Sequence, residues 1–246
     1  MRNFFILLLS LQISALFVNA QETEGFETDI NFGFTLTDGN SDTSMLKAGV
    51  ETKNIHEKQE TLLSASYEYG RTKDTLADGE EVETTNLDRG KAVGQSNWLF
   101  SDEMYAFYNL TAETDELAKI DYRINNGPGV GYYFLRDDNR LLNTETSVVY
   151  VLEEVGGNTD DYAAFRLAQK FEYKFSEGAR VWQSLEGVVN FSDTDNYFMN
   201  VEVGVEANLH ANLALRVVLQ DKYDNDPEPD VEKNDLTLFS GISVKL

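Results

Sequence analysis

The amino-acid sequence predicts an all-β chain, a closed antiparallel up-and-down transmembrane β-barrel of twelve strands. Three observations carry that expectation. Beyond residue 20 the apolar residues recur with period two and almost nowhere with the 3.6-residue period of a helix. The alternating segments run to ten residues or more. That is enough to cross a bilayer at a tilt, which takes about 9–11 residues, whereas strands average about 5–6 in soluble sheets. Their number is even, with tight turns at one end and a set containing three longer acidic loops at the other.

In chain order the segments cover 28–37, 43–53, 58–72, 83–99, 104–114, 119–135, 141–153, 161–175, 180–191, 196–209, 212–223 and 235–246. The parity is plain in the tenth, where Met199, Val201, Val203, Val205, Ala207 and Leu209 alternate with Asn200, Glu202, Gly204, Glu206 and Asn208. The eighth sets Phe165, Leu167, Phe171, Tyr173 and Phe175 against Arg166, Lys170, Glu172 and Lys174. The last sets Leu236, Leu238, Ile242 and Val244 against Asp235, Thr237, Gly241 and Ser243, and Phe239-Ser240 interrupts it. Successive strand side chains point to opposite faces, so each strand has one apolar wall and one polar wall. The tight turns fall at 54–57, 101–103, 136–140, 176–179 and 210–211, and the long acidic connections at 73–82, 154–160 and 224–234. With both termini in the periplasm, the long set lies outside the cell.

Residues 1–20 read as a secretory signal peptide. Met1-Arg2-Asn3 is a short basic start, Phe4 to Val18 is apolar, and Val18-Asn19-Ala20 places small residues where a signal peptidase cuts. The barrel domain is then 21–246. The whole chain carries 20 Lys and Arg against 43 Asp and Glu, a net charge of −23. Such a balance argues against a nucleic-acid partner, because phosphate contacts need a surplus of Lys and Arg. The absence of cysteine excludes disulfides, thiol nucleophiles and Cys-ligated metals. An aromatic content of 12% with 3 Pro excludes a disordered acidic tail.

In hydrocarbon an open sheet edge would leave backbone N–H and C=O groups unpaired, so such strands must close. The apolar wall then faces lipid and the charged wall faces the lumen. Strand parity points Lys47, Arg89, Lys91, Arg123, Arg166, Lys170, Lys174, Arg216 and Lys245 inward. It points Glu51, Glu68, Asp121, Glu145, Glu172, Glu186, Glu202 and Glu206 inward as well. This near balance of signs suits either a narrow water-filled pore for small polar solutes or ions, or a lumen closed by ion pairs. Tyr67, Tyr69, Trp98, Tyr105, Tyr132, Tyr133, Phe134, Phe175, Trp182 and Tyr197 stand near strand ends and are expected in interfacial girdles. Gly127, Gly129 and Gly131 share the inward parity and leave room for large neighbours.

The ending Phe239-Ser240-Gly241-Ile242-Ser243-Val244-Lys245-Leu246 resembles the last-strand signal read by the outer-membrane assembly machinery, with Leu in place of the frequent terminal Phe. Three further motifs resemble the YdiY-like, salt-induced outer-membrane proteins. They are Gly33 through Thr43 with its Asp38-Gly39-Asn40-Ser41 turn, Asp121-Tyr122-Arg123 leading into Gly127-Pro128-Gly129-Val130-Gly131-Tyr132, and Tyr223-Asp224-Asn225-Asp226-Pro227 with Lys233-Asn234-Asp235-Leu236-Thr237. The resemblance implies a barrel in the outer membrane of a Gram-negative bacterium, linked by name to salt stress and carrying no catalytic residues. Its surroundings are outer-membrane lipid and lipopolysaccharide.

Candidates for other chemistry are few. His56 and His210 both fall in short turns, away from any nucleophile with which they could form a triad or metal site. The glycine run lacks the Lys-Ser/Thr of a phosphate loop. The acidic segment 224–230 offers oxygen ligands to Ca²⁺ but lacks EF-hand spacing. No cofactor is expected. Two other functions are set against the first: a soluble periplasmic barrel holding an apolar ligand, which needs the reverse wall pattern, and an outer-membrane enzyme, which needs a His or Ser pair near a rim.

Overall fold

A computed structural model describes residues 26–37, 41–75 and 81–246. The signal peptide expected over 1–20 and parts of the β1–β2 and β3–β4 connections lie outside the described residues. Twelve strands follow one another: β1 (Phe26–Thr37), β2 (Ser41–His56), β3 (Gln59–Thr75), β4 (Glu81–Leu99), β5 (Met104–Asp115), β6 (Ile120–Arg136), β7 (Arg140–Val155), β8 (Asn158–Ser176), β9 (Ala179–Asn190), β10 (Tyr197–His210), β11 (Leu213–Asp224) and β12 (Asn234–Lys245). Each pairs antiparallel with its chain neighbours, and β1 meets β12 to close the ring. The expected segments coincide with these strands to within a few residues, because a strict period of two admits no other regular structure.

The walls face as the alternation requires. Leu46, Leu63, Leu110, Val130, Phe165, Val205 and Leu238 are exposed on the outside, while Glu68, Arg89, Glu113, Arg123, Glu145 and Arg166 are buried within. A polar interior and an apolar exterior rule out the soluble barrel with an apolar lumen. Phe239 leaves the outward parity intact: it turns into the lumen and is 2% exposed, whereas Leu238 on the outside is 59% exposed.

Two expectations need correction. The connection at 154–160 is not a long loop. β7 runs to Val155 and β8 begins at Asn158, so only Gly156 and Gly157 form the turn, with φ of 58° and 78°. Paired positive φ values are the mark of a tight hairpin turn, which glycine adopts without Cβ strain. Nor do all the strand-end aromatics form girdles. Tyr67, Trp98, Tyr132, Phe134 and Phe175 do lie exposed on the outside, but Tyr105, Tyr133 and Trp182 point into the lumen and are 1%, 7% and 6% exposed.

The inward turn of these rings has a local cause. Tyr105 sits opposite Gly131 and Phe107 opposite Gly129 in the β5–β6 register. A Cβ on either glycine would overlap the facing ring, and Gly204 leaves the same space for Trp182. The missing side chains form clefts into which large rings pack, as the shared parity of Gly127, Gly129 and Gly131 anticipates. Pro128, which has no N–H to donate, pairs with Tyr108 of β5, while the register to β7 passes over Gly127 and Pro128.

Candidate functional site

The lumen is built from three ion-paired layers with rings between them. Toward the long-loop end, Arg123 bonds Glu153 at 2.5 Å and approaches Asp224 at 3.5 Å and Glu113 at 3.8 Å. Its guanidinium lies 4.5 Å from the centre of the Phe198 ring. Lys222 reaches Asp115 at 3.2 Å. On the far side, Lys47 pairs with Glu68 at 2.6 Å, and Glu68 also receives the guanidinium of Arg89. Arg89 then crosses to β12 and bonds Asp235 at 2.6 Å.

At mid-height Arg166 joins Glu186 at 2.7 Å and Glu145 at 3.1 Å. Tyr105 and Gln95 donate to the same Glu145 at 2.9 and 2.7 Å. Nearer the termini, Glu206 collects Arg180 at 3.1 Å, Arg216 at 3.3 Å and Lys245 at 3.7 Å. Arg180 also reaches Glu172 at 3.3 Å. The Trp182 ring lies between Arg180 and Arg216, 5.3 and 4.7 Å from their guanidinium carbons, and donates its N–H to Glu202 at 2.7 Å. Cation–ring contacts of this kind gain strength where water is scarce.

Of the expected lumen residues, the structure therefore brings together Lys47, Glu68, Arg89, Arg123, Glu145, Arg166, Glu172, Glu186, Glu202, Glu206 and Arg216. Glu51 pairs with Lys53 at 2.6 Å. Lys91 and Lys170 line a cavity and form no ion pair among the described residues. Two placements depart from expectation. Asp121 is exposed, because a register irregularity between Ile120 and Tyr122 inserts it as an extra residue and turns Ile120 inward instead. Lys174 keeps the inward parity but lies beyond the packed interior and is exposed.

Sequence reasoning missed Glu113, Asp115, Glu153 and Lys222, which share the inward parity of Thr111, Val151 and Gln220 and were legible by extending each strand to its rim. It also missed an apolar inner patch of Val149, Val151, Tyr162, Ala164, Val188 and Phe198. That patch gave no signal, since Val148 to Leu152 are hydrophobic on both faces except for Tyr150.

Two cavities occupy the axis. One, of about 580 Å³, runs from the short-turn end to the middle; the other, of about 540 Å³, opens under the long loops. They share Asn200 and Lys222 in their walls, so the two cavities adjoin at those side chains. The connection after β11 extends across the second cavity. Lys119 donates to the carbonyl of Pro229 at 2.7 Å, and the Glu228 carboxylate packs against Gly156. Lys119 lies in the β5–β6 turn, six strands around the ring from the β11–β12 loop, so this loop spans the mouth.

A charged lumen inside an apolar outer wall is the arrangement of barrels that span membranes. Over residues 30–245 the chain matches the family described as protein of unknown function, DUF481. It belongs to that family. The YdiY-like resemblance read from the motifs is consistent with membership. Among solved structures the chain is similar to the NanC porin, at 9% identity over 89% of this chain and 100% of that one, with a TM-score of 0.52. It is equally similar to an outer membrane channel from Pseudomonas putida F1, at 9% identity over 90% and 95% of the two chains, also with a TM-score of 0.52. At that identity the likeness is one of fold. No curated protein matches the chain.

Proposed function

We propose that this DUF481 chain is a restricted outer-membrane channel, non-enzymatic, that passes small polar solutes or ions along its charged lumen. The observation that supports it is the pair of cavities, one entered from each end, whose walls meet at Asn200 and Lys222. A charged wall in a narrow lumen can replace part of the hydration shell of a passing solute, which apolar walls cannot do. In this reading the signal peptide over 1–20 is cleaved and the barrel lies in the outer membrane with both termini in the periplasm. Its last strand is presented to the assembly machinery, and lipopolysaccharide surrounds the long-loop end. The link to salt stress rests on the family resemblance and is tested by transcript abundance at raised osmolarity.

The cross-lumen ties favour a second reading, a rigid scaffold that conducts little. Arg89 to Asp235 and Arg123 to Asp224 each bridge residues far apart around the wall. Single-channel recording of the refolded barrel in a planar bilayer separates the two. Discrete steps that enlarge in Arg89→Ala support the channel; silence in both proteins supports the scaffold. Partition of the mature chain into the aqueous phase on fractionation would sink both.

A further inference from the structure

The ring closes unevenly. Apart from one backbone bond at the terminal end, from the Leu246 N–H to the Thr28 carbonyl at 2.9 Å, β1 and β12 share only the register from Asp29–Lys245 to Gly33–Gly241. Beyond it, Phe34 to Thr37 pair with β2 alone and Asn234 to Ser240 with β11 alone, so among the described residues no ladder joins them. Every other pair of neighbouring strands is joined along most of its length, as β7 and β8 are from Arg140–Tyr173 to Val155–Asn158. Unpaired backbone groups in hydrocarbon are unfavourable, so such a gap calls for a use.

The two sides of the gap differ in chemistry. Outside it, Phe34, Leu236 and Leu238 are exposed at 56%, 61% and 59%. Directly inside lie the buried Phe239 ring, Lys47 Nζ at 4.7 Å from its centre, and the Arg89–Asp235 pair. Arg89, reaching from β4 through Asp235 and through Thr237 at 3.4 Å, ties β12 where β1 does not. Meanwhile the axial exit on the long-loop side is spanned by the loop that Lys119 and Gly156 hold.

We propose that the upper β1–β12 seam is a lateral portal for a single-chain amphiphile, its polar head in the charged lumen and its acyl chain passing between the strands into the membrane. The spanned mouth hinders a bulky solute axially, and the seam offers it an apolar way out. Phe239 is the inner plug, and the Arg89–Asp235 pair is the latch. The inference rests on the reading that the barrel lies in a membrane, and not on its conducting ions.

The cysteine-free chain makes the test direct. Spin labels on Phe34→Cys with Ser240→Cys, where the next rung of the ladder would stand, are compared in vesicles with labels on Phe32→Cys with Ile242→Cys, which face each other in register. The upper pair is expected to show longer and broader distances; equally narrow distributions would overturn the portal. For the ligand, brominated lauric acid is expected to quench a tryptophan placed by Phe239→Trp in a Trp98→Phe, Trp182→Phe background, which carries no other tryptophan. Unlabelled lauric acid should relieve that quenching. Oxidising the Phe34→Cys/Ser240→Cys pair to a disulfide should remove it while leaving heat-dependent gel mobility unchanged. Quenching that survives the locked seam, or none in the unlocked protein, overturns the proposal. Single-channel steps that persist in the locked protein leave the channel reading intact, so the two ideas fail separately.

Discussion

The wall from β5 to β8 and the seam between β1 and β12 are made of the same alternating strands, yet one is packed and the other barely joined. On the first, Tyr105 and Phe107 fill the clefts over Gly131 and Gly129, Tyr133 lies 4.8 Å from Tyr105 between ring centres, and Arg166 is held by two glutamates. On the second, glycine meets glycine at Gly33 and Gly241, and the ladder stops there. The difference teaches that closure of a barrel and packing of its lumen are separate achievements. A strand pair is secured where inward side chains interlock, and is free to part where they do not.

Filling a cleft has the greatest effect. Gly131→Val would force Tyr105 out of place, and overpacking of this kind costs about 3 kcal/mol. Gly94→Val, on the outer face with Leu63 as its nearest neighbour at 3.5 Å, is expected to change stability by less than about 0.5 kcal/mol. Urea unfolding of each variant in vesicles measures both, and equal losses would remove the distinction between packed and open faces.

Charge removal has the next effect. Arg166→Met strips a partner from the buried Glu145 and the half-buried Glu186 and is expected to cost about 2 kcal/mol, less than the loss of a fully enclosed pair because all three side chains line a cavity. Arg71→Met cuts the exposed pair with Glu83 and should cost no more than a few tenths of a kcal/mol. The same urea titration reads both, and a larger loss at Arg71 would contradict the layered lumen.

The smallest effect lies at the rim of the packed wall. In the β6–β7 turn, the Arg140 guanidinium donates to Asp137 at 2.8 and 2.9 Å and the N–H of Asn139 at 3.0 Å, which hold its carboxyl below the usual aspartate range. A folded-state pKa lower than the unfolded one stabilises at pH above the unfolded value, and that contribution fades as pH falls through the folded value. Asp137→Asn should therefore lower the unfolding midpoint slightly near neutral pH and not at all in acid. A deficit that persists in acid would show that the turn depends on shape rather than charge.

Of the candidate site, the inward residues were legible wherever a strand is apolar on one face only. Arg166, Glu202 and Glu206 each follow from an apolar neighbour on either side. The girdle expectation failed at Tyr105, Tyr133 and Trp182, where nearness to a strand end was read without the strand's parity, and parity itself failed at Asp121, where one inserted residue reverses the count. The long loop expected over 154–160 failed because Gly156-Gly157 ends it in two residues, and acidic composition alone does not measure loop length.

Alternation along the chain was enough to specify strands, their number and the two unlike walls of each, because a side-chain period of two is a local property of the backbone. Which wall faces the lumen followed from strand length and the need to close the sheet in hydrocarbon. The partners were not local. Arg89 and Asp235 stand 146 positions apart, Lys119 and Pro229 stand 110 apart, and the last rungs of the β1–β12 ladder depend on how twelve tilted strands meet after a full circuit. Those contacts were decided only when the ring closed, since the stagger of a barrel sums over every strand pair and no single segment carries it.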